Sequence, residues 1–266
     1  MTEKKRDFER RRRSAPAPEV EENGGQLEGR NALTEALKSG RTIDKVFIAA
    51  GETDRGLQRL AAQAKEAGAV VVPVDRRKLD AMSLSHSHQG VIALAAAREY
   101  FSIDDLLQEA ADRGENALLV ICDELSDPHN LGAILRSAEC AGAHGVIIPK
   151  RRSVGLTAVV AKASAGAVEY MKVARVTNIN AAIQELKEKG VWIFGTAAEG
   201  SIPMYQADLT GPTAIVIGSE GDGMSPLVRK NCDVTVHIPM KGKISSLNAS
   251  AAASILLYEA VRQRLQ

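Results

Sequence analysis

From Asn116 to the C-terminus, short apolar runs recur at 117–122, 145–148, 170–173, 191–194, 213–217 and 234–238. Helical patterns lie between most of them, at 131–141, 157–163, 180–189, 226–231 and finally 247–265. Apolar strands that alternate with helices predict a parallel sheet covered on both faces. In such sheets ligands sit beyond the carboxyl ends of the strands, so the residues after each run are the ones to inspect. From Leu27 to Ala97 the pattern predicts a smaller α/β unit. Helices are expected over 31–38, 57–67 and 76–82, and strands over 45–49, 69–74 and 91–95. Residues 98–115 form a polar, helical-looking linker, and residues 1–24 a charged tail. The tail holds too little apolar surface to offset its ordering entropy, which predicts disorder.

Composition narrows the function. Lys plus Arg total 34 against 33 for Asp plus Glu, so any nucleic-acid partner must be engaged by a local basic patch. Aromatic residues are 3% of the chain, which argues against a surface built from many stacked aromatic platforms. Cys122, Cys140 and Cys232 are far apart and form no Cys-x-x-Cys pair, so neither a disulfide framework nor a zinc site is expected. Cys122 ends an apolar run and reads as a buried, inert thiol. The sequence contains no 18-residue apolar stretch and no apolar segment after the charged N-terminus. Neither a membrane span nor a secretory signal is expected, and a reducing cytoplasm is the default.

Three loops hold candidate chemistry. After the run at 117–122 come Asp127-Pro128-His129-Asn130-Leu131-Gly132 and then Arg136. Asn130 suits a helix N-cap, and Arg136 lies about 120° around the helix from it. An arginine among small and apolar residues is either paired internally or aimed at an anion such as phosphate. After 213–217 comes Gly218-Ser219-Glu220-Gly221-Asp222-Gly223. These glycines permit close backbone approach to a ligand, yet the loop matches neither a dinucleotide fingerprint nor a Walker motif. After 234–238 comes a segment through Ser246-Leu247-Asn248-Ala249-Ser250 that opens a helix dense in Ala and Ser. Ser246 is the expected cap, and the first turn offers free N–H groups. Arg76-Arg77-Lys78 reads either as a phosphate-binding patch or as a solvated helix face. His86 and His88 lack a third metal ligand nearby, so no metal site is expected.

In this order and at these strand ends, the three segments resemble the motifs of the SpoU/TrmH family of RNA ribose 2′-O-methyltransferases. The resemblance runs from about residue 27 to the C-terminus. It implies a C-terminal SPOUT-type α/β domain over 116–266, tied in a deep trefoil knot. A small ribosomal-protein-like substrate-binding domain over 25–97 precedes it. It implies S-adenosylmethionine as cofactor, held by Thr196, Gly218, Ile238 and Leu247. Arg136 would act as the base or activator of the ribose hydroxyl, or grip the target's phosphate and polarise the hydroxyl, with Asn130, Glu220, Ser246 and Asn248 positioning the ribose and Arg136. RNA is the implied partner, with a guanosine of 23S rRNA, free or in a pre-ribosomal large subunit, as the target. Homodimerisation through the C-terminal domain is implied too. The alternatives are a non-catalytic RNA-binding or ribosome-assembly protein, or the same chemistry on tRNA or another rRNA site. Lys150-Arg151-Arg152 and Lys162 are candidates for gripping phosphate.

Overall fold

The computed structural model describes residues 25–51, 54–197 and 201–265. The tail at 1–24 lies outside them. The smaller unit comprises β1 (Gln26–Glu28), α1 (Arg30–Lys38), β2 (Ile43–Ala49), α2 (Arg55–Glu66), β3 (Val70–Val74), α3 (Arg76–Met82) and β4 (Val91–Ala95). Its sheet runs β1-β4-β2-β3, with β2 and β3 parallel and β4 antiparallel to both of its neighbours. Then follow α4 (Ile103–Arg113), β5 (Leu118–Cys122), α5 (Pro128–Cys140), β6 (Gly145–Pro149), α6 (Ala158–Ala163) and β7 (Val173–Val176). The chain continues through α7 (Ile179–Glu188), β8 (Trp192–Thr196), β9 (Ile202–Pro203), β10 (Thr213–Ile217), α8 (Pro226–Asn231), β11 (Val234–His237) and α9 (Ala249–Arg264). These strands form one sheet, β7-β6-β5-β10-β8-β11-β9, parallel throughout as the alternation predicts.

Side chains alternate between two cores along the central strands. Leu118, Val120 and Cys122 of β5 pack with Leu131, Ile134 and Leu135 of α5 and Leu256 and Leu257 of α9. Leu119 and Ile121 point the other way, onto Ile103 and Leu106 of α4 and Ile183 and Leu186 of α7. Period-two alternation with both faces apolar is why these strands read as continuous runs. Each fully buried Leu or Ile contributes roughly 1.5–3 kcal/mol. The first core continues without a break into the smaller unit through Leu27, Leu33, Val46 and Leu57.

Besides β1 and β9, for which no strand is expected, two segments depart from expectation. The linker at 98–115 contains α4, whose Ile103, Leu106 and Ala110 are buried against the large sheet. A capping box at Ser102 and Asp105 starts this helix, and Gly114 in the left-handed conformation ends it. The expected strand over 170–173 begins only at Val173, after a 3-10 turn at Ala167–Glu169. Gly166, at φ 95°, lies so close to α1 that a Cβ there would sit 2.5 Å from Glu35 Cγ. The Tyr170 hydroxyl then donates to Glu35 at 2.7 Å, turning this segment toward the smaller unit and away from the sheet. Among the described residues, no helix is long and apolar enough to cross a membrane.

Candidate functional site

The chain runs outward from β5 through β6 to β7 and returns on the far side of β10. Reversal of strand order opens a crevice at the carboxyl ends of the strands. Here a cavity of about 1010 Å³ is lined by Thr196 and Ala197 after β8, Ile217 through Met224 after β10, Val236 through Ile238 at β11, and Ser245 through Ala249 entering α9.

The loop after β10 is closed on itself. Ser219 N–H donates to the Gly223 carbonyl at 2.9 Å and Gly223 N–H returns the bond at 3.1 Å. Gly221 and Gly223 have φ of 93° and 69°, the left-handed region. A Cβ on Gly218 would fall 2.2 Å from the Gly223 carbonyl carbon, so only glycine lets this hairpin shut. Asp123, buried directly after β5, accepts the Ser225 N–H at 2.7 Å and pins the start of α8 to the sheet. It is a polar residue at the end of an apolar run, a signal from which sequence reasoning drew nothing.

Three of the expected site residues meet. Asn248 Nδ2 donates to Asn130 Oδ1 at 2.8 Å and to Glu220 Oε1 at 2.7 Å. Asn130 Nδ2 donates to the same Glu220 oxygen at 2.8 Å. The start of α5, the glycine loop and the start of α9 are thereby joined through side chains 28 to 118 residues apart. Asn130 is not the cap of α5. Asp127 is, accepting the His129 N–H at 2.9 Å with Pro128 in the first turn, which leaves Asn130 buried and free to face Glu220. Nor does Ser246 cap α9. Asn248 does, its Oδ1 accepting from Ser250 and Ala251 N–H at 3.0 and 3.2 Å.

The remaining candidates are placed differently. Ser246 lines the cavity but makes no hydrogen bond to the other three. Arg136 is exposed on α5, outside the cavity lining and apart from that junction. Thr196, Gly218, Ile238 and Leu247 all line the cavity, and Thr196 Oγ1 donates to the Val216 carbonyl at 3.0 Å. Lys162, expected to grip phosphate, is engaged between the two units. Its ammonium donates to Ser85 Oγ at 3.1 Å and to the Ser87 carbonyl, and burial lowers its pKa while Glu28 opposes that shift. Lys150, Arg151 and Arg152 are exposed beyond β6, with Arg152 paired to Glu124 at 3.1 Å. Burial, aided by Asp123, pushes the Cys122 thiol up to about 12, so it is inert. His88 is held at both ring nitrogens, by Asp80 at 2.9 Å and the Gly90 N–H at 3.0 Å. Among the described residues no group of three His, Cys, Asp or Glu is arranged to hold a metal.

Comparison with known proteins gives consistent results. Residues 117–258 match the SpoU rRNA Methylase family, and residues 26–101 match the RNA 2′-O ribose methyltransferase substrate-binding domain. A putative TrmH family tRNA/rRNA methyltransferase of Bacillus subtilis (strain 168), YacO, is 48% identical over 89% of this chain and 94% of its own. The SpoU methyltransferase AviRb from Streptomyces viridochromogenes, crystallised with AdoMet, superposes with a TM-score of 0.78 at 26% identity, covering 91% of this chain and 90% of that one. A crystal structure described as an RNA 2′-O ribose methyltransferase gives 0.74 at 28% identity, covering 91% and 89%. A family model spanning the large sheet and a relative of nearly equal length agree with the motifs at the strand ends, and the chain belongs to the SpoU rRNA methylase family.

Proposed function

We propose that this RNA 2′-O-methyltransferase acts on a guanosine of 23S rRNA, in the cytoplasm, as a homodimer joined through its C-terminal domain. Residues 25–97 would bind the RNA and residues 116–266, threaded as a trefoil knot, would transfer the methyl group. The enzyme uses S-adenosylmethionine, and the cavity suits it. Glycine backbone at 218, 221 and 223 admits close approach, and Ile217, Ile238 and Leu247 offer apolar contact to a flat ring. Thr196, Gly218, Ile238 and Leu247 are the residues we assign to holding it. When bound it supplies an electrophilic methyl group.

The observation that carries this reading is the Asn130–Glu220–Asn248 junction at the edge of that cavity. A ribose hydroxyl is a poor nucleophile, so catalysis must align it and receive its proton as the new bond forms. Both amides donate to one oxygen of Glu220, which leaves Oε2 as an acceptor for a hydroxyl. Ser246, on the same wall, adds a hydroxyl to orient the sugar. A guanidinium offers five N–H donors and no acceptor, which suits Arg136 to gripping a phosphate and polarising the hydroxyl better than to removing a proton. Its exposed face of α5 lies beside α9, which carries the exposed Tyr258. This arrangement favours a site completed where two subunits meet.

Incubation with radiolabelled S-adenosylmethionine and total RNA, followed by nucleoside analysis, tests the proposal. Label is expected in 2′-O-methylguanosine from large-subunit RNA. Label confined to tRNA, or to another ribose-methylated nucleoside, overturns the assigned target, and label in a base ring overturns the reaction.

A further inference from the structure

The smaller sheet is only partly covered on one of its faces. Val46 and Ile48 of β2 point into the core shared with α1 and α2, while Phe47 and Ala49 point to the opposite face. Among the described residues only α3 lies over that face, packed on Ala49, Val74 and Ile92 through Leu79 and Met82. Seven helical residues span about 10 Å, and among the described residues they leave Val70 and Leu94 exposed. Strand register sets Val70, Lys45 and Leu94 side by side in one row, and Val72, Phe47 and Ile92 in the next. Val70 is 57% exposed and Leu94 37%. The Lys45 ammonium lies 5.9 Å from the centroid of the Phe47 ring, and that of Lys78 lies 5.8 Å from it.

Two like charges therefore converge on one aromatic ring, beside exposed aliphatic side chains. Among the described residues neither ammonium pairs with a carboxylate. The nearby Asp75 carboxylate accepts the Lys78 backbone N–H at 2.9 Å. Arg76 and Arg77, both exposed, add charge on the same turn of α3. Two positive charges on one ring with no carboxylate to offset them favour an anion beside them. A flat apolar strip bracketed by cations matches a nucleotide whose base is unstacked and whose flanking phosphates are free. Duplex RNA hides its base faces, and a second copy of this chain would present the same positive charge.

We propose that this apolar strip binds an unpaired stretch of the RNA substrate, with one base against Phe47 and Leu94 and phosphates on Lys45 and Lys78. The inference rests on RNA being the substrate and adds where and in what form it is held. The test titrates a short fluorescein-labelled single-stranded RNA, and its duplex, into the full-length enzyme by anisotropy at several salt concentrations. K45Q/K78Q should weaken single-strand binding about tenfold and reduce the slope of log K against log salt by about 1.4, at about 0.7 per phosphate contact. F47L, which keeps an apolar filling, should weaken it about five- to tenfold with the slope unchanged. Both variants should leave S-adenosylmethionine affinity by calorimetry, and kcat at saturating RNA, at wild-type values. Wild-type affinity and slope in K45Q/K78Q, equal affinity for the duplex, full affinity in F47L, or a change of subunit number on sedimentation would each overturn the proposal. If the wild-type enzyme methylates no RNA, the functional reading fails while the titration still reports on this face. If K45Q/K78Q methylates RNA with unaltered KM, the face alone is refuted.

Discussion

Asn248 serves a helix and a site at once. Its Oδ1 caps α9 while its Nδ2 holds Asn130 and Glu220. Asp caps a helix about as well as Asn, but it would set a second carboxylate against Glu220. N248D should therefore keep the helix content of the wild type but lose about 1.5–3 kcal/mol of stability, the worth of a hydrogen bond to a charged group, and kcat should fall about ten- to hundredfold with Glu220 no longer held. Thermal unfolding and steady-state methylation measured together check this, and wild-type turnover in N248D would reduce the residue to a cap. His144 gives a pH dependence. It is buried, its Nδ1 accepts the Leu118 N–H at 3.0 Å, and its Nε2 lies 3.0 Å from Glu115. Burial lowers its pKa below 6.5, with Glu115 opposing in part. The folded state thus favours neutral imidazole, so this contribution to stability is complete above pH 6.5 and is lost as the pH falls below it. Denaturation midpoints taken on either side of pH 6.5 should show the drop, and H144N should flatten it.

At the scale of elements, the glycine loop makes the sharpest prediction. Adding a methyl group at Gly218 forces the Ser219–Gly223 hairpin open, because the clash is with backbone. G218A should lose at least about tenfold in S-adenosylmethionine affinity by calorimetry, a difference of about 1.4 kcal/mol, while its circular dichroism stays that of the wild type. Most strands were legible in the sequence because apolar runs such as 118–122 and 213–217 fill both cores. The helix over 103–113 was legible as a helix but not as part of the core. Its buried stripe of Ile103, Leu106 and Ala110 is narrow among acidic residues. The N-caps were misplaced because two candidate caps stand within three residues at each site. Asp127 wins at α5 because Pro128 suits the first turn, and Asn248 wins at α9 because both atoms of its amide find partners. The Asn130–Glu220–Asn248 contact was legible only through the motif resemblance. Periodicity places each residue at a strand end, but only the strand order brings those ends together.

For the whole molecule, the two units are locked by charge as well as by the shared core. The carboxylate of Glu169, the last residue of the 3-10 turn, pairs with Arg98 and, at 3.2 Å, with Arg41. All three side chains are almost wholly buried, and Nε and Nη1 of Arg98 have no partner among the described residues. Burial lowers the Arg98 pKa, a shift that Glu169 opposes. Removing the carboxylate would leave two guanidinium groups buried together, so E169Q should cost about 3–5 kcal/mol in urea unfolding. A loss under about 1 kcal/mol would show that this cluster does not hold the units. The central claim is that one cavity at the reversal of strand order receives the methyl donor beside Glu220. A crystal structure of the enzyme grown with S-adenosylhomocysteine tests it most directly. We predict the adenosine between the Gly218 loop and Leu247, with Asn130 and Asn248 still bonded to Glu220. An adenosine bound elsewhere, or a cavity closed by its own side chains, would contradict the account.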